Sequence, residues 1–250
     1  MKLANLNNRP EVFYSIQGEG KSAGMPSVFI RSSLCNLHCF WCDTDYTWNW
    51  KGTSFSHQND QIPGYKKFSK ADQIIEMDTD QLVKLLDSYS CNRFILTGGE
   101  PLIQDMEWVS LMKALRKKKS GSWFEIETNG TLLPSAAFND LIDQYNVSPK
   151  LANSNNPVQL RIREKPLHFF SQSPKANFKF VVSAESDLEE ILELLNRFEI
   201  RPEKVWLMPE GMFPDALKAK QSWVTDICLE YGFNFSDRLH VKLFGNQRGV

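Results

Sequence analysis

"CNLHCFWCDT", residues 35–44, is the stretch on which the reading of the chain turns. It places Cys35, Cys39 and Cys42 within eight positions, with Asp43 and Thr44 directly behind. A structural zinc site wants four protein ligands. His38, Asp43 or His57 could stand as the fourth. His38 adjoins Cys39, however, so joint ligation is strained, and no second CxxC pair occurs. An iron–sulfur cluster is held by thiolates, normally four. Three thiols on a C-x3-C-x2-C loop wrap three corners of a cube and leave one iron open to a substrate or cofactor. Trp41, an aromatic just before the third Cys, strengthens that reading.

The rest of the chain suits a soluble globular protein. Its 250 residues allow one large domain or two small ones, and 42% apolar with 24% charged residues fits a globular protein. A net charge of -1 gives no reason to expect a general nucleic-acid or membrane binder. The basic run "RKKKS" (116–120) reads as the last turn of a helix, where cations suit the dipole. "MKLANLNNRPEVFYS" has no apolar signal region, and no apolar run nears the roughly 20 residues that span a bilayer. A cytoplasmic protein with reduced thiols is expected. Cys91 and Cys228 stand apart in apolar contexts and are expected as buried structural thiols.

Outward from the cysteines, strands and helices alternate. "SVFIR" (27–31), "RFILT" (93–97), "SWFEIET" (122–128), "NFKFVVS" (177–183) and "KVWLMPEG" (204–211) read as strands, the last with a turn. "NVSPK" (146–150) reads as a short strand with a polar exit, and "RLHVKLF" (238–244) as a last strand. Helical spacing marks 78–90, 105–119, 135–145, 187–198 and 215–232, with Asp78 or Thr79 as N-cap of the first and Gly232 as the stop of the last. About six β-α units argue a parallel sheet with crossover helices. "GGEP", "ETNGT", "SPK" and "MPEG" then open on one face, where reacting groups of parallel barrels sit. Residues 45–77 break the rhythm and read as an insertion folded over the site, with Tyr46, Trp48 and Trp50 favouring packing. Residues 151–175 carry nothing that ties to chemistry.

"CNLHCFWC" resembles the cluster loop of the radical S-adenosylmethionine superfamily, and Gly98, Gly99, Glu100 and Pro101 match its "GGEP" segment. The resemblance implies a single-domain α/β fold over 1–250, a partial (β/α)6 TIM-like barrel. It also implies a [4Fe-4S] cluster whose open iron chelates S-adenosylmethionine and whose electron yields a 5′-deoxyadenosyl radical.

The flanks are more specific. "IQGEG", "G-x-P-x-x-FIR", "WCDT", "TGGEP", "ETNG", "SPK" and "LFGNQRG" together resemble the 7-carboxy-7-deazaguanine synthase family of the 7-deazapurine (queuosine) pathway. That implies conversion of 6-carboxy-5,6,7,8-tetrahydropterin to 7-carboxy-7-deazaguanine, with ring contraction and loss of ammonia. It assigns the cluster to Cys35, Cys39 and Cys42, and Mg2+ to Thr44 beside substrate oxygens. Asp43 is either a partner behind that site or a turn former. Substrate contacts fall to Ile16, Gln17, Gly18, Glu19, Arg31 and Thr97: Gln17 and Glu19 can read a pterin edge and Arg31 can hold a carboxylate. Phe40, Trp41, Gly99, Glu100, Ser148, Pro149, Lys150 and Met208, Pro209, Glu210, Gly211 fall to the S-adenosylmethionine site. The family also implies a flavodoxin- or ferredoxin-type reductant and a homodimer, and neither a membrane nor a direct nucleic-acid partner is expected.

Two departures stand out. Leu34 replaces the Gly usual before the first Cys, and "MPEG" is looser than the family's turn. The tail "FGNQRGV" and the 45–77 insertion are candidate lids. Two other readings compete: a glycyl-radical-enzyme activase, which would lack the "IQGEG" and "CDT" flanks, and a zinc-binding interaction module, which would be colourless.

Overall fold

The parallel core starts at the strand that feeds the cysteine loop. In the computed structural model, which describes residues 1–245 and 247–250, the chain opens with β1 (Lys2–Leu6), β2 (Arg9–Pro10) and β3 (Val12–Ile16), followed by β4 (Pro26–Ser32). After the insertion come β5 (Ile74–Glu76), α1 (Thr79–Asp87), β6 (Arg93–Gly98), α2 (Asp105–Lys118), β7 (Trp123–Thr128), α3 (Ala136–Leu141) and β8 (Gln144–Val147). Then follow α4 (Val158–Arg161), α5 (Glu164–Gln172), β9 (Ala176–Val182), α6 (Asp187–Phe198), β10 (Val205–Pro209), α7 (Pro214–Tyr231), β11 (Asn234–Phe235) and α8 (Leu239–Phe244).

Strands β4, β6, β7, β8, β9 and β10 lie side by side in chain order, each parallel to the next. Six parallel strands with crossovers that always step the same way make a partial (β/α)6 barrel, as the rhythm predicts. It stays open among the described residues: β4 is flanked by antiparallel β3 and β1, and β10 by the two-residue β11.

The core lies between sheet and helices. Phe94, Phe124, Phe178 and Phe180 on strands meet Trp108, Leu111 and Met112 of α2 and Ile191 and Phe198 of α6, all fully or nearly fully buried. Local chemistry sets the helix ends. Asp78 accepts from Gln81 N at 2.8 Å while Gln81 Oε1 accepts from Asp78 N at 3.0 Å, a reciprocal cap on α1. Gly232 ends α7 at φ +70°, where a side chain would be strained. Arg116, Lys117 and Lys118 form the basic last turn of α2, as expected, and Arg116 pairs with Asp143.

Four expectations need correction. The stretch expected as a strand over 238–244 is the helix α8, Leu239–Phe244, with Arg238 as its N-cap. Leu239 N bonds Gly18 O at 2.9 Å, and the turn sends Arg238 and His240 into the cavity, so a long-range anchor overrides the apolar alternation. The helix expected over 135–145 stops at Leu141. Asp143 N donates to Phe124 O and its carboxylate accepts from Phe124 N, which pulls the chain into register with β7. The strand expected over 146–150 therefore runs Gln144–Val147, and Ser148 to Lys150 are its loop. Cys228 is buried, but Cys91 is only half-buried, its Sγ 3.3 Å from Arg93 N.

Candidate active site

The loop after β4 carries the three cysteines, and the exits of β6 and β7 help to fix it. Leu34, just before Cys35, has φ +79°, in the left-handed region that favours glycine. A glycine would adopt that turn without strain, and this chain keeps it with a leucine. Leu34 O then accepts from Glu100 N at 2.8 Å. Gly99 packs so tightly on the same carbonyl that a Cβ would lie 2.0 Å from it. From β7's exit, Asn129 Nδ2 donates to Asn36 Oδ1 at 2.9 Å, and Asn36 Nδ2 donates to Thr131 Oγ1 at 2.8 Å. "TGGEP" and "ETNGT" thus grip the cysteine loop from below.

Glu100 serves that grip from inside. It is fully buried and accepts from Leu102 N, Thr128 Oγ1 and Asn129 N. Burial raises its pKa against the pull of those donors.

All five cysteines are free thiols, and Cys39 is buried. Burial, reinforced by Asp43 and the Cys39 thiol, pushes Cys42 up to about 12, and burial likewise raises Cys35 and Cys39. As bare thiols they are protonated at neutral pH, and a bound metal centre must displace those protons. Among the described residues no three His, Cys, Asp or Glu side chains converge as ligands of a single metal ion. A cluster asks for less, since each thiolate serves its own iron. Three thiols on one loop, one receiving a side-chain N–H (Asn156 Nδ2 to Cys39 Sγ, 3.3 Å), fit that group.

A cavity of about 250 Å3 joins this loop to the strand ends. Cys35, Cys39 and Cys42 line it together with Trp41, Thr44, Gly99, Ser148, Lys150, Met208, Glu210 and Gly211. Ile16, Gln17, Gly18, Glu19, Arg31 and Thr97 line it as well. Phe40, Glu100, Pro149 and Pro209 do not line the cavity. Lys150 Nζ donates to Ser148 Oγ at 2.7 Å and sits over the Trp41 ring. Thr44 Oγ1 is 3.5 Å from Cys42 Sγ.

The polar wall is a charge network. Lys179 Nζ bridges Glu19 at 2.6 Å and Glu127 at 2.8 Å. Arg238 bonds Glu19 at 3.1 Å, pairs with Asp43, and donates to Gly211 O at 2.7 Å. Gln17 Nε2 donates to Glu125 and Glu127, and Gln17 Oε1 accepts from Glu19 N. Burial alone would raise the Glu19 pKa, but Lys179, Arg238 and His240 outweigh it and hold the carboxylate far below its usual range. Glu127 goes the other way: burial and two neighbouring carboxylates overcome Lys179. Arg31 Nε donates to Glu11 at 2.9 Å, which fixes the guanidinium plane on the cavity wall.

Sequence reasoning missed Glu127, Lys179, Arg238 and His240. A lysine inside the apolar run "NFKFVVS" was the available signal, because a lysine is rarely buried without partners. The insertion sends only Thr47 and Trp48 to the cavity wall, and the tail sends Gln247, Gly249 and Val250; the tail's Asn246 lies outside the described residues. Tyr46 and Trp48 are buried, as their aromatic character predicts, and Trp50 is half-buried under Lys70.

A partial parallel barrel whose first core strand delivers three cysteines to the strand-end face defines a radical SAM protein. The profile of the Radical SAM superfamily matches residues 29–198. The 7-carboxy-7-deazaguanine synthase of Pyrobaculum aerophilum is 33% identical over 96% of this chain and 95% of its own length. That of Rhodopirellula baltica is 34% identical over 96% and 87%. The crystal structure of QueE from Escherichia coli superposes with a TM-score of 0.65 at 27% identity, covering 92% of each chain. The chain belongs to the 7-carboxy-7-deazaguanine synthase family, whose radical SAM membership implies a [4Fe-4S] cluster and S-adenosylmethionine. No described helix is long and apolar enough to cross a membrane.

Proposed function

We propose that the protein converts 6-carboxy-5,6,7,8-tetrahydropterin to 7-carboxy-7-deazaguanine. The change is a ring contraction with loss of ammonia and no net oxidation. One observation carries it: a single cavity has the three-thiol loop on one wall and, on the other, a set of polar groups suited to a carboxylated, nitrogen-rich ring. When bound, the cluster and S-adenosylmethionine supply a radical that abstracts hydrogen from the substrate.

The chain's own residues bind, orient and enclose. Cys35, Cys39 and Cys42 hold the cluster. Gly99, Ser148, Lys150, Met208, Glu210 and Gly211 form the S-adenosylmethionine side, and Gly99, lacking a Cβ, lets backbone approach closely. Arg31, its plane fixed by Glu11, receives the substrate carboxylate. Gln17, Glu19 and Thr97 face the ring, with Glu19 held ionised by Lys179 and Arg238. Thr44 would offer a hard oxygen to Mg2+. Residues 45–77 and the C-terminal tail exclude water over this single domain. A flavodoxin- or ferredoxin-type reductant, a homodimer and cytoplasmic placement follow from the family resemblance and the composition.

The test is anaerobic reconstitution with iron and sulfide, then addition of S-adenosylmethionine, reductant and the carboxylated tetrahydropterin. Mass spectrometry should show the deazaguanine and free ammonia. A fully loaded protein that cleaves S-adenosylmethionine and leaves the pterin untouched refutes the proposal. Thr44→Val should abolish any stimulation by Mg2+ and leave iron content intact.

A further inference from the structure

Residues 152–156, to which the sequence attaches no chemistry, lie directly against the cysteine loop. Phe40 N donates to Ser154 O at 3.0 Å and Trp41 Nε1 to Asn153 O at 3.0 Å. His38 N donates to Asn156 Oδ1 at 2.9 Å. The left-handed turn at Asn155, φ +60°, swings the chain so that Asn156 meets residues 38 and 39 with both ends of its amide.

The orientation of that amide follows from its partners. A backbone N–H can only donate, so the atom facing His38 N must be the carbonyl oxygen. The amide nitrogen is thereby turned to Cys39 Sγ, 3.3 Å away. Both residues are 7% exposed, so little water competes for the contact. Nδ2 also reaches Ser154 Oγ at 3.2 Å and Ser154 O at 3.4 Å, which occupies its second hydrogen.

We infer that Asn156 is a positioning residue for the iron–sulfur centre: it locks residues 38 and 39 in register and, through its amide N–H on Cys39, raises the centre's reduction potential. Reduction adds one electron, whose charge is shared with the cysteine sulfurs. A fixed N–H dipole aimed at a sulfur stabilises the reduced form more than the oxidised one. The inference rests on the family reading that this loop holds a cluster, and not on the identity of the substrate.

The experiment uses the full chain, reconstituted anaerobically without S-adenosylmethionine. The midpoint is read by a dye-mediated titration followed by electron paramagnetic resonance. Asn156→Leu keeps the side-chain shape and removes the donor without adding charge. The constant for one-electron reduction should fall about tenfold, a midpoint about 59 mV more negative. Ser154→Ala removes the Ser154 Oγ partner of Nδ2 but leaves Ser154 O and the contacts to His38 N and Cys39 Sγ, and should keep the wild-type midpoint. A loaded Asn156→Leu protein with the wild-type midpoint overturns the inference. Should that variant retain no iron, melting of the cluster-free protein decides. An unchanged melt supports a role directed at the cluster, whereas a lowered melt makes Asn156 a general structural residue and overturns it. Wild-type protein that takes up no iron would refute the cluster reading itself, and this inference with it.

Discussion

Gly99→Ala should unseat the cysteine loop. A Cβ at that position would lie 2.0 Å from Leu34 O, 2.6 Å from the Leu34 carbonyl carbon and 3.0 Å from Cys35 Cβ. Real Cβ contacts essentially never fall below 3.0 Å, so the carbonyl must withdraw by at least 3.0 − 2.0, or about 1 Å. The same oxygen accepts from Glu100 N at 2.8 Å. A retreat of that size takes the bond beyond hydrogen-bonding range. Losing it costs about 1 kcal/mol. Overpacking adds about 1–3 kcal/mol, so the total is about 2–4 kcal/mol. The smaller conformational entropy of the unfolded alanine chain offsets only about 0.4–1 kcal/mol of this. The net loss is then about 1–3.6 kcal/mol; for a chain of this size each kcal/mol lowers the melting temperature by about 2–4 °C, so a fall of about 2–14 °C is expected. Thermal unfolding of the cluster-free protein by circular dichroism measures it, and iron per chain after reconstitution reports displacement of Cys35. A variant that melts within about 2 °C of wild type and binds full iron refutes the close approach.

Leu34→Gly should be neutral or mildly stabilising. It relieves about 1–2 kcal/mol of left-handed strain against about 0.5–1 kcal/mol of added chain entropy, and a large loss in urea unfolding would show that the Leu34 side chain matters more than its backbone. Glu19→Gln should flatten the acid side of the stability profile. The folded carboxylate is held below its ordinary value of 4.5, so its contribution is complete above that pH and is lost as pH falls below it. Melts of wild type and variant should therefore converge between neutral pH and the acid limit, and a constant gap would contradict the pairing with Lys179 and Arg238. Tyr65→Phe removes a 2.6 Å hydrogen bond to Asp45 inside the insertion. A loss of about 1.5–3 kcal/mol is expected for a bond to a charged group, with faster amide exchange over residues 45–68 as the check.

The parallel half of the fold was legible because its signals are local. Buried strands such as "RFILT" and amphipathic helices such as 187–198 carry their periodicity in their own residues, and α6 spans Asp187–Phe198 as read. Where a segment's conformation answers to a distant partner, the local signal misleads. Leu239, Val241 and Leu243 alternate like a strand, yet the segment is held as a helix by Gly18, more than 200 positions away in the chain. Asp143 ends α3 early because Phe124 needs it as a pairing partner.

The site shows the same division at finer grain. The thiols announce themselves by residue type and spacing, Thr44, Arg31 and the glycine pair by the motifs of the resembled family, and one cavity gathers them. Their partners do not. Lys179 reads as an oddity in a strand until Glu19 and Glu127 are seen on either side of it. Asn156 reads as one polar residue in a featureless stretch until its amide is found spanning His38 N and Cys39 Sγ. Ligands must be particular atoms, so sequence can show them. The groups that orient those ligands need only one donor or acceptor in the right place, which many residue types can supply and only the fold can bring near. Hence the chemistry of this chain is written in residues 35–44, whereas its tuning is written wherever the backbone returns to that loop.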